Sequence, residues 1–141
     1  MGLAAALQQA GAGSVQEVVV NLRDATAKTT AHAAARAAAS QVDAIVVATY
    51  WADPWSSPNT DPPWQRETIA TLAATGTPMI VVATGDPYDL FSFPAIPVYL
   101  ATYGDTPAQL RGAAALIFGR TPPALSGRLP VSLTSSPPPV R

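Results

Sequence analysis

The sequence predicts an α/β protein, a three-layer sandwich with a mainly parallel sheet of four or more strands and helices on both faces. Short apolar runs alternate with helical patterns along the chain, which is typical of strands joined by crossover helices. The chain has 141 residues, of which 48% are hydrophobic and 12% charged, a balance that favours one folded domain with a buried core. We expect this domain at residues 1–133, followed by a proline-rich tail at 134–141.

Four segments carry the start and stop signals of helices. Asp24 is a predicted N-cap, Asp61 stands before a proline, and Thr106 precedes Pro107 and Gln109 in the pattern of a capping box. Glycines follow three of the patterns, where a left-handed residue ends a helix. The predicted helices cover residues 3–10, 25–41, 61–76 and 106–119.

Four apolar runs have the composition of buried strands. Val18, Val19 and Val20 are β-branched in succession, which suits a strand covered on both faces. The predicted strands cover residues 17–22, 43–49, 79–84 and about 97–103. Residues 129–133 are a candidate edge segment, because proline is tolerated where its missing N–H faces no partner.

Charge and composition exclude several classes of function. Eight Lys and Arg residues stand against nine Asp and Glu residues, so the chain lacks the basic surface that nucleic acid or an anionic membrane attracts. The absence of cysteine and the single histidine argue against zinc-type sites, and we predict no metal and no cofactor. The sequence predicts no secretory signal and no membrane span, and it favours a cytoplasmic location.

The candidate site lies after two predicted strands. Asp86, Tyr88 and Asp89 follow residues 79–84, at the carboxyl edge where open α/β sheets bind ligands. We expect the three tryptophans Trp51, Trp55 and Trp64 to crowd one proline-rich loop after residues 43–49, at the same edge. Aromatic faces stack on sugars or cover a partner surface, while the alternative is a loop that buries its own indoles. For the two aspartates the alternative is turn formation, and such a turn should direct their carboxyl groups apart.

Other chemical motifs are weak. His32 lies in an alanine-rich helix and Glu67 in a first helical turn, where structural roles are favoured. The Gly11-Ala12-Gly13 segment follows a helix and precedes a strand, the reverse of a dinucleotide-binding loop. No serine has the flanking residues of a nucleophile elbow, so serine hydrolase chemistry is disfavoured.

Four motifs follow one another in a fixed order along the chain. They are Gly85-Asp86-Pro87-Tyr88-Asp89-Leu90, the run from Phe93 to Tyr103, Leu116-Ile117-Phe118-Gly119, and Ser126-Gly127-Arg128-Leu129-Pro130-Val131. Together they resemble the C-terminal domain of family 3 glycoside hydrolases, in particular the β-N-acetylhexosaminidase branch, and the resemblance covers residues 43–133. One departure is Asp86, where the family usually has asparagine; an amide donor is thus replaced by an acceptor.

The resemblance implies an α/β sandwich that packs on a (β/α)8 barrel, which carries the aspartate nucleophile of a retaining mechanism. This chain contains no barrel and no match to the histidine-containing motif of the hexosaminidase branch. We therefore predict an accessory domain with no catalytic residue of its own and no activity alone. Trp51, Trp55, Asp86, Tyr88 and Asp89 are the candidates for contact with substrate or barrel.

The expected partner is a catalytic barrel, in the same chain or in another, with carbohydrate as a further candidate. The alternative is an independent small-molecule (sugar) binding module or a minor hydrolase. The family fold usually has another strand ahead of the first helix, and the sequence opens at that helix. We therefore also expect pairing of two copies through an exposed sheet edge.

Overall fold

A computed structural model describes residues 2–56, 58–93 and 95–120. The helices are α1 (Leu3–Ala10), α2 (Ala25–Ala39), α3 (Pro62–Ala73) and α4 (Pro107–Ile117). The strands are β1 (Ile45–Thr49), β2 (Met79–Ala83) and β3 (Val98–Ala101). Two short 3-10 helices cover Pro58–Thr60 and Pro87–Ser92.

The three strands form a parallel sheet in the order β1, β2, β3. Ile45 lies opposite Met79, and Ile80 lies opposite Val98. Parallel neighbours require a crossover connection, which α3 provides between β1 and β2 and the Pro87–Ser92 3-10 helix provides between β2 and β3. The carboxyl ends of all three strands therefore lie at the same edge of the sheet.

Helices cover both faces of the sheet, which confirms the predicted α/β sandwich. On one face, Ile45 and Val47 of β1 pack in the cluster that α2 and α3 form with β2. On the other face, Val46 packs with α1 and α4, which contact each other along their length. The alternation along β1 reflects the two-residue period of a strand.

The predicted strand at residues 17–22 is wrong. This segment forms no ladder with any described strand, and Val19 is 79% exposed. Its β-branched residues favour a strand, but a strand needs a neighbour for its N–H and C=O groups. The sheet accordingly has three strands in the residues that the structure describes, rather than four or more. The predicted edge segment at 129–133, the motif at 126–131 and the tail at 134–141 lie outside the described residues.

The helix starts are confirmed in detail. Asp24 accepts a hydrogen bond from the backbone N–H of Ala27 at 3.0 Å. Thr106 and Gln109 form the reciprocal capping box before α4. The helices α2, α3 and α4 end two or three residues earlier than predicted, because a turn separates the last helical residue from the polar or glycine residue that follows.

Asp61 joins α3 to α2 and yields a first prediction. Its backbone is left-handed (φ 46°), and its side chain accepts from Trp64 N at 3.2 Å and pairs with Lys28 Nζ. The lysine lowers the pKa of Asp61. Asp61→Ala should lower the free energy of unfolding by about 2 kcal/mol, since the cap, the ion pair and the tolerance of left-handed backbone are all lost.

Asp61→Asn is the matched control, because asparagine caps helices and tolerates this backbone but cannot pair with the lysine. It should cost about 0.5 kcal/mol in urea denaturation, the usual range for an ion pair near the surface. If asparagine cost as much as alanine, the ion pair rather than the cap would dominate.

No helix in the described part of the chain is long and apolar enough to cross a membrane.

Candidate functional site

The candidate site lies at the carboxyl edge of the sheet, where two connections leave neighbouring strands. Residues 50–60, here named the aromatic loop, follow β1 and include Trp51 and Trp55. The Pro87–Ser92 3-10 helix follows β2 and contains Tyr88 and Asp89. Because β1 and β2 are adjacent and parallel, the two connections lie side by side.

Asp89 is the central anchor between these connections. Its side chain is fully buried (0% exposed) and accepts from Thr49 Oγ1 at 2.6 Å and from the Ala52 N–H at 2.7 Å. Burial raises the pKa of Asp89 to about 6, and the hydrogen bonds from Thr49 and Ala52 oppose that rise. Both carboxylate oxygens are thus used to hold the end of β1 and the start of the aromatic loop.

The Pro87–Ser92 3-10 helix is also held by hydrogen bonds with β3 and with the aromatic loop. Tyr99 of β3 donates its hydroxyl to the carbonyl of Pro87 at 3.1 Å. Burial raises the pKa of Tyr99, so its hydroxyl remains a donor at any physiological pH. Ser92 donates to the carbonyl of Ala52 at 2.6 Å, so Asp89 and Ser92 together bind both the N–H and the C=O of one loop residue.

Gln65 of α3 holds both ends of the aromatic loop. Its Oε1 accepts from Tyr50 N at 3.1 Å, and its Nε2 donates to Tyr50 O at 3.0 Å and to Thr60 O at 2.6 Å. Trp51 has left-handed backbone (φ 48°), and its carbonyl accepts from Thr60 Oγ1 at 2.8 Å. Such a backbone is costly for a tryptophan and persists where the surroundings hold it in place.

Gly85 permits the close approach of the aromatic loop to the end of β2. A Cβ at this position would lie 2.8 Å from Trp51 N, closer than real Cβ atoms come to backbone. We expect Gly85→Ala to displace Trp51 and to lower the free energy of unfolding by about 1–3 kcal/mol. Gly112→Ala is the control: its Cβ meets nothing within 4 Å in α4, and alanine should stabilise that helix.

Urea denaturation measures both glycine variants, and the emission of the tryptophans reports the displacement in Gly85→Ala. Unchanged emission and unchanged stability in that variant would show that the loop adapts without cost.

Three carboxylates lie close together, one from the aromatic loop and two from the start of the 3-10 helix. One oxygen from each of Asp53, Asp86 and Asp89 lies within 4.8 Å of the others, and we name these residues the acidic cluster. The expectation that the turn separates Asp86 from Asp89 is wrong. Asp86 accepts from Tyr88 N at 2.7 Å, as the cap of the 3-10 helix, and one of its carboxylate oxygens lies within 4.8 Å of one from the buried Asp89.

The acidic cluster is built to bind backbone N–H and hydroxyl groups. Asp53 accepts from Trp55 N at 2.8 Å and from Ser56 Oγ, so at least five of the six carboxylate oxygens accept hydrogen bonds. Burial raises the pKa of Asp86, and the negative charge of Asp53 raises it further. The three residues could each offer one oxygen to a cation, but these oxygens already stabilise the two connections.

Aromatic side chains cover the anchored loop. Trp51 is 41% exposed and Trp55 is 42% exposed. Trp55 packs edge-on against Phe91 and Tyr88, with ring centroids 5.4 and 6.4 Å away, and Tyr88 stacks on Phe91 at 6.1 Å. The loop backbone is therefore held by hydrogen bonds and anchored at the buried Ala52 and Asp53, while the tryptophan rings are partly exposed.

The exposed rings line a cleft of about 610 Å³. Four of the five predicted site residues, Trp51, Trp55, Asp86 and Tyr88, line it, whereas Asp89 lies beneath it. Arg23, from the turn before α2, lines it too and was missed because no local motif marks it. Asp53 was also missed, although Asp-Pro-Trp-Ser is a turn pattern that could have indicated it.

Trp64 does not belong to this cleft. It lies in α3 and lines a second groove of about 710 Å³ between α2 and α3, together with His32, Arg36 and Glu67. The expectation that three tryptophans crowd one loop is thus wrong for Trp64, because the helix begins at Pro62 and turns the ring toward α2. His32 and Glu67 share this groove, a proximity that their sequence positions did not indicate.

Comparison with known families covers almost the whole chain. Residues 2–139 match the glycosyl hydrolase family 3 C-terminal domain. The chain belongs to this family. No curated protein and no solved structure matches it. The α/β sandwich and the domain identity expected from the four motifs are therefore confirmed. The chain is an accessory domain of the kind found in glycoside hydrolases.

Proposed function

We propose that this family 3 C-terminal domain packs on a (β/α)8 catalytic barrel of the β-N-acetylhexosaminidase or β-glucosidase type and that its aromatic cleft helps to complete the sugar site. The observation that carries the proposal is the pair of exposed tryptophans on a backbone fixed by buried hydrogen bonds. A surface whose backbone is ordered before binding loses little conformational entropy when it binds.

The chemistry of the cleft suits a sugar bound at a domain interface. Trp51 and Trp55 offer flat apolar faces, and aromatic faces stack on the C–H groups of sugar rings. Asp86 offers a carboxylate acceptor and Arg23 a guanidinium donor for hydroxyl groups. A few polar groups among aromatic ones are the usual composition of a small-molecule site, and such sites occur preferentially between domains.

In this proposal the barrel supplies the groups that catalyse hydrolysis. Retaining hydrolysis requires two carboxyl groups about 5 Å apart with opposed protonation roles, both in reach of the glycosidic bond. Asp86 and Asp89 approach within 4.8 Å, but Asp89 is fully buried and binds Thr49 and Ala52. A sugar in the cleft meets only Asp86 of the pair, so the chain alone should not hydrolyse glycosides.

The test compares the isolated chain with the chain mixed with a family 3 barrel that lacks its own C-terminal domain. Substrates are an aryl β-N-acetylglucosaminide and an aryl β-glucoside. We expect turnover only in the mixture, and we expect Trp51→Ala and Trp55→Ala to lower kcat/KM by about tenfold or more, the usual effect of losing one stacked aromatic ring at a binding site. Trp64→Ala is the matched control and should leave kcat/KM unchanged.

A second candidate, an independent sugar-binding module, is favoured by the preformed and open shape of the cleft. In that case the isolated chain quenches or shifts its tryptophan emission when a β-linked oligosaccharide is added, without any barrel. Turnover by the isolated chain that disappears in Asp86→Asn would instead establish the minor hydrolase and overturn the accessory role.

A further inference from the structure

The groove between α2 and α3 has no role in the proposed function and shares no lining residue with the aromatic cleft. Its volume of about 710 Å³ lies within the range of small-molecule sites. We name it the α2–α3 groove. The side chains that carry the argument are His32, Ala33, Arg36 and Ala37 of α2 and Trp64 and Glu67 of α3.

Helical spacing brings the polar side chains of each helix to the groove. His32 and Arg36 are four residues apart in α2, a separation of neighbours on a helix surface. Trp64 and Glu67 are three residues apart in α3, which also makes them neighbours. The α2 side of the groove therefore offers nitrogen donors, and the α3 side offers an indole ring and a carboxylate.

The opposite charges on the two sides of the groove do not pair with each other. In the part of the chain that the structure describes, the only ion pair joins Lys28 to Asp61, and neither residue lines the groove. Arg36 and Glu67 are exposed, so water solvates both charged groups. Separated charges of opposite sign are complementary to a molecule that carries both charges itself.

We propose that the α2–α3 groove binds a free amino acid with an apolar side chain. Its carboxylate accepts hydrogen bonds from Arg36 and His32, its ammonium group donates to Glu67, and its side chain packs on the ring of Trp64. The planar guanidinium of arginine matches the two oxygens of a carboxylate, and a histidine ring donates an N–H in either charge state. A tryptophan ring attracts both an apolar side chain and a nearby ammonium group.

Ligands with a single charge fit this groove less well. An anion without an ammonium group brings a second negative charge near Glu67, and a cation without a carboxylate brings a second positive charge near Arg36. Like charges placed together oppose binding. Ala33 and Ala37 also line the groove, and their short side chains leave room for the ligand between the two helices. The charges on the two sides therefore select for a zwitterion.

The first test uses the full chain with Trp51→Phe and Trp55→Phe, which leaves Trp64 as its single tryptophan. L-phenylalanine is titrated while the emission of Trp64 is followed. We expect a saturable change with a Kd of about 1 mM, because ion pairs near the surface are weak. N-acetylphenylalanine lacks the ammonium group and phenylalaninamide lacks the carboxylate, and each should bind about fivefold more weakly.

Variants of the two charged residues assign each end of the ligand. Arg36→Gln should weaken the binding of phenylalanine by about fivefold and should not weaken that of phenylalaninamide, which has no carboxylate to lose. Glu67→Gln should likewise weaken phenylalanine and spare N-acetylphenylalanine. Arg66→Gln is the matched control, because Arg66 is exposed on α3 and does not line the groove. If the double tryptophan variant does not fold, the indole N–H signal of Trp64 in the NMR spectrum of the parent chain gives the same readout.

Three results would overturn the proposal. Equal binding of phenylalanine, its N-acetyl form and its amide would show that stacking on Trp64 alone accounts for the affinity. A Trp64 signal that phenylalanine leaves unchanged well above the expected Kd would show that the groove binds no amino acid. A change in that signal with protein concentration alone would show that a second copy of the chain occupies the groove.

Discussion

Replacement of Asp89 by asparagine should raise the free energy of unfolding at pH 7 by about 1–2 kcal/mol. The buried carboxyl group has a pKa of about 6 against an ordinary value of 3.8, so its ionised form costs the folded state about 3 kcal/mol. Asparagine removes that cost. Its carbonyl still accepts from Ala52 N, and its amide faces the hydroxyl of Thr49, so part of the hydrogen bonding is kept.

The pH dependence gives the sharper test. Because the pKa of Asp89 is raised in the folded state, the stability that the protonated group provides is complete below about pH 4 and is lost as pH rises to about 6. The parent chain should therefore lose up to about 3 kcal/mol across this window, and Asp89→Asn should lose much less. Asp86 also has a raised pKa, so a smaller slope of the same sign remains.

Urea denaturation at several pH values, followed by tryptophan emission, measures both effects. Asp89→Leu is the control for hydrogen bonding, since it leaves Thr49 Oγ1 and Ala52 N without their partner. It should lower the free energy of unfolding by about 2–4 kcal/mol at pH 7. Equal slopes for the parent chain and Asp89→Asn would show that another group carries the pH dependence.

Gln65→Leu should lower the free energy of unfolding by about 2–3 kcal/mol and should release the aromatic loop. Leucine has nearly the same volume, so the packing of α3 is kept, but Tyr50 N, Tyr50 O and Thr60 O lose their hydrogen bonds. Trp51, held in left-handed backbone between these two residues, should then relax to an ordinary conformation.

Gln65→Glu separates the contributions of the two ends of this amide. A carboxylate still accepts from Tyr50 N but faces the carbonyls of Tyr50 and Thr60 without a donor. We expect it to cost at least as much as leucine at pH 7 and less at pH 4, where protonation restores one donor. The measurements are urea denaturation and the rate of proteolysis within residues 50–60; a loop as resistant as in the parent chain would contradict the role given to Gln65.

Local signals in the sequence were sufficient for the helix starts and for the three strands that pair. Caps such as Asp24 and Thr106 act within three residues, so their pattern is complete in the sequence. The segment at 17–22 shows the limit of such reasoning, because strand propensity needs a neighbour at a distance to become a strand.

In the candidate site too, some residues could be predicted from the sequence and their contacts could not. Trp51, Trp55, Asp86 and Tyr88 could be predicted because parallel strands bring their following turns to one edge. The contacts between the turns could not be predicted. Asp89 accepts a hydrogen bond from the hydroxyl of Thr49, which is 40 residues away in the chain. Gln65 has the sequence position of an ordinary residue on the inner face of a helix, and nothing local indicates its hydrogen bonds to the loop.

The way in which the aromatic loop is held has a consequence for how this domain can change. Asp89 and Ser92 bind the peptide groups of Ala52, and Gln65 binds those of Tyr50 and Thr60, so the clamps act on backbone at the two ends of the loop. Backbone C=O groups are common to all residue types, and backbone N–H groups to all except proline. The exposed side chains of Trp51 and Trp55 make none of these hydrogen bonds, so they can be exchanged, and new recognition can be grafted onto the domain while its core and the buried Asp53 stay the same.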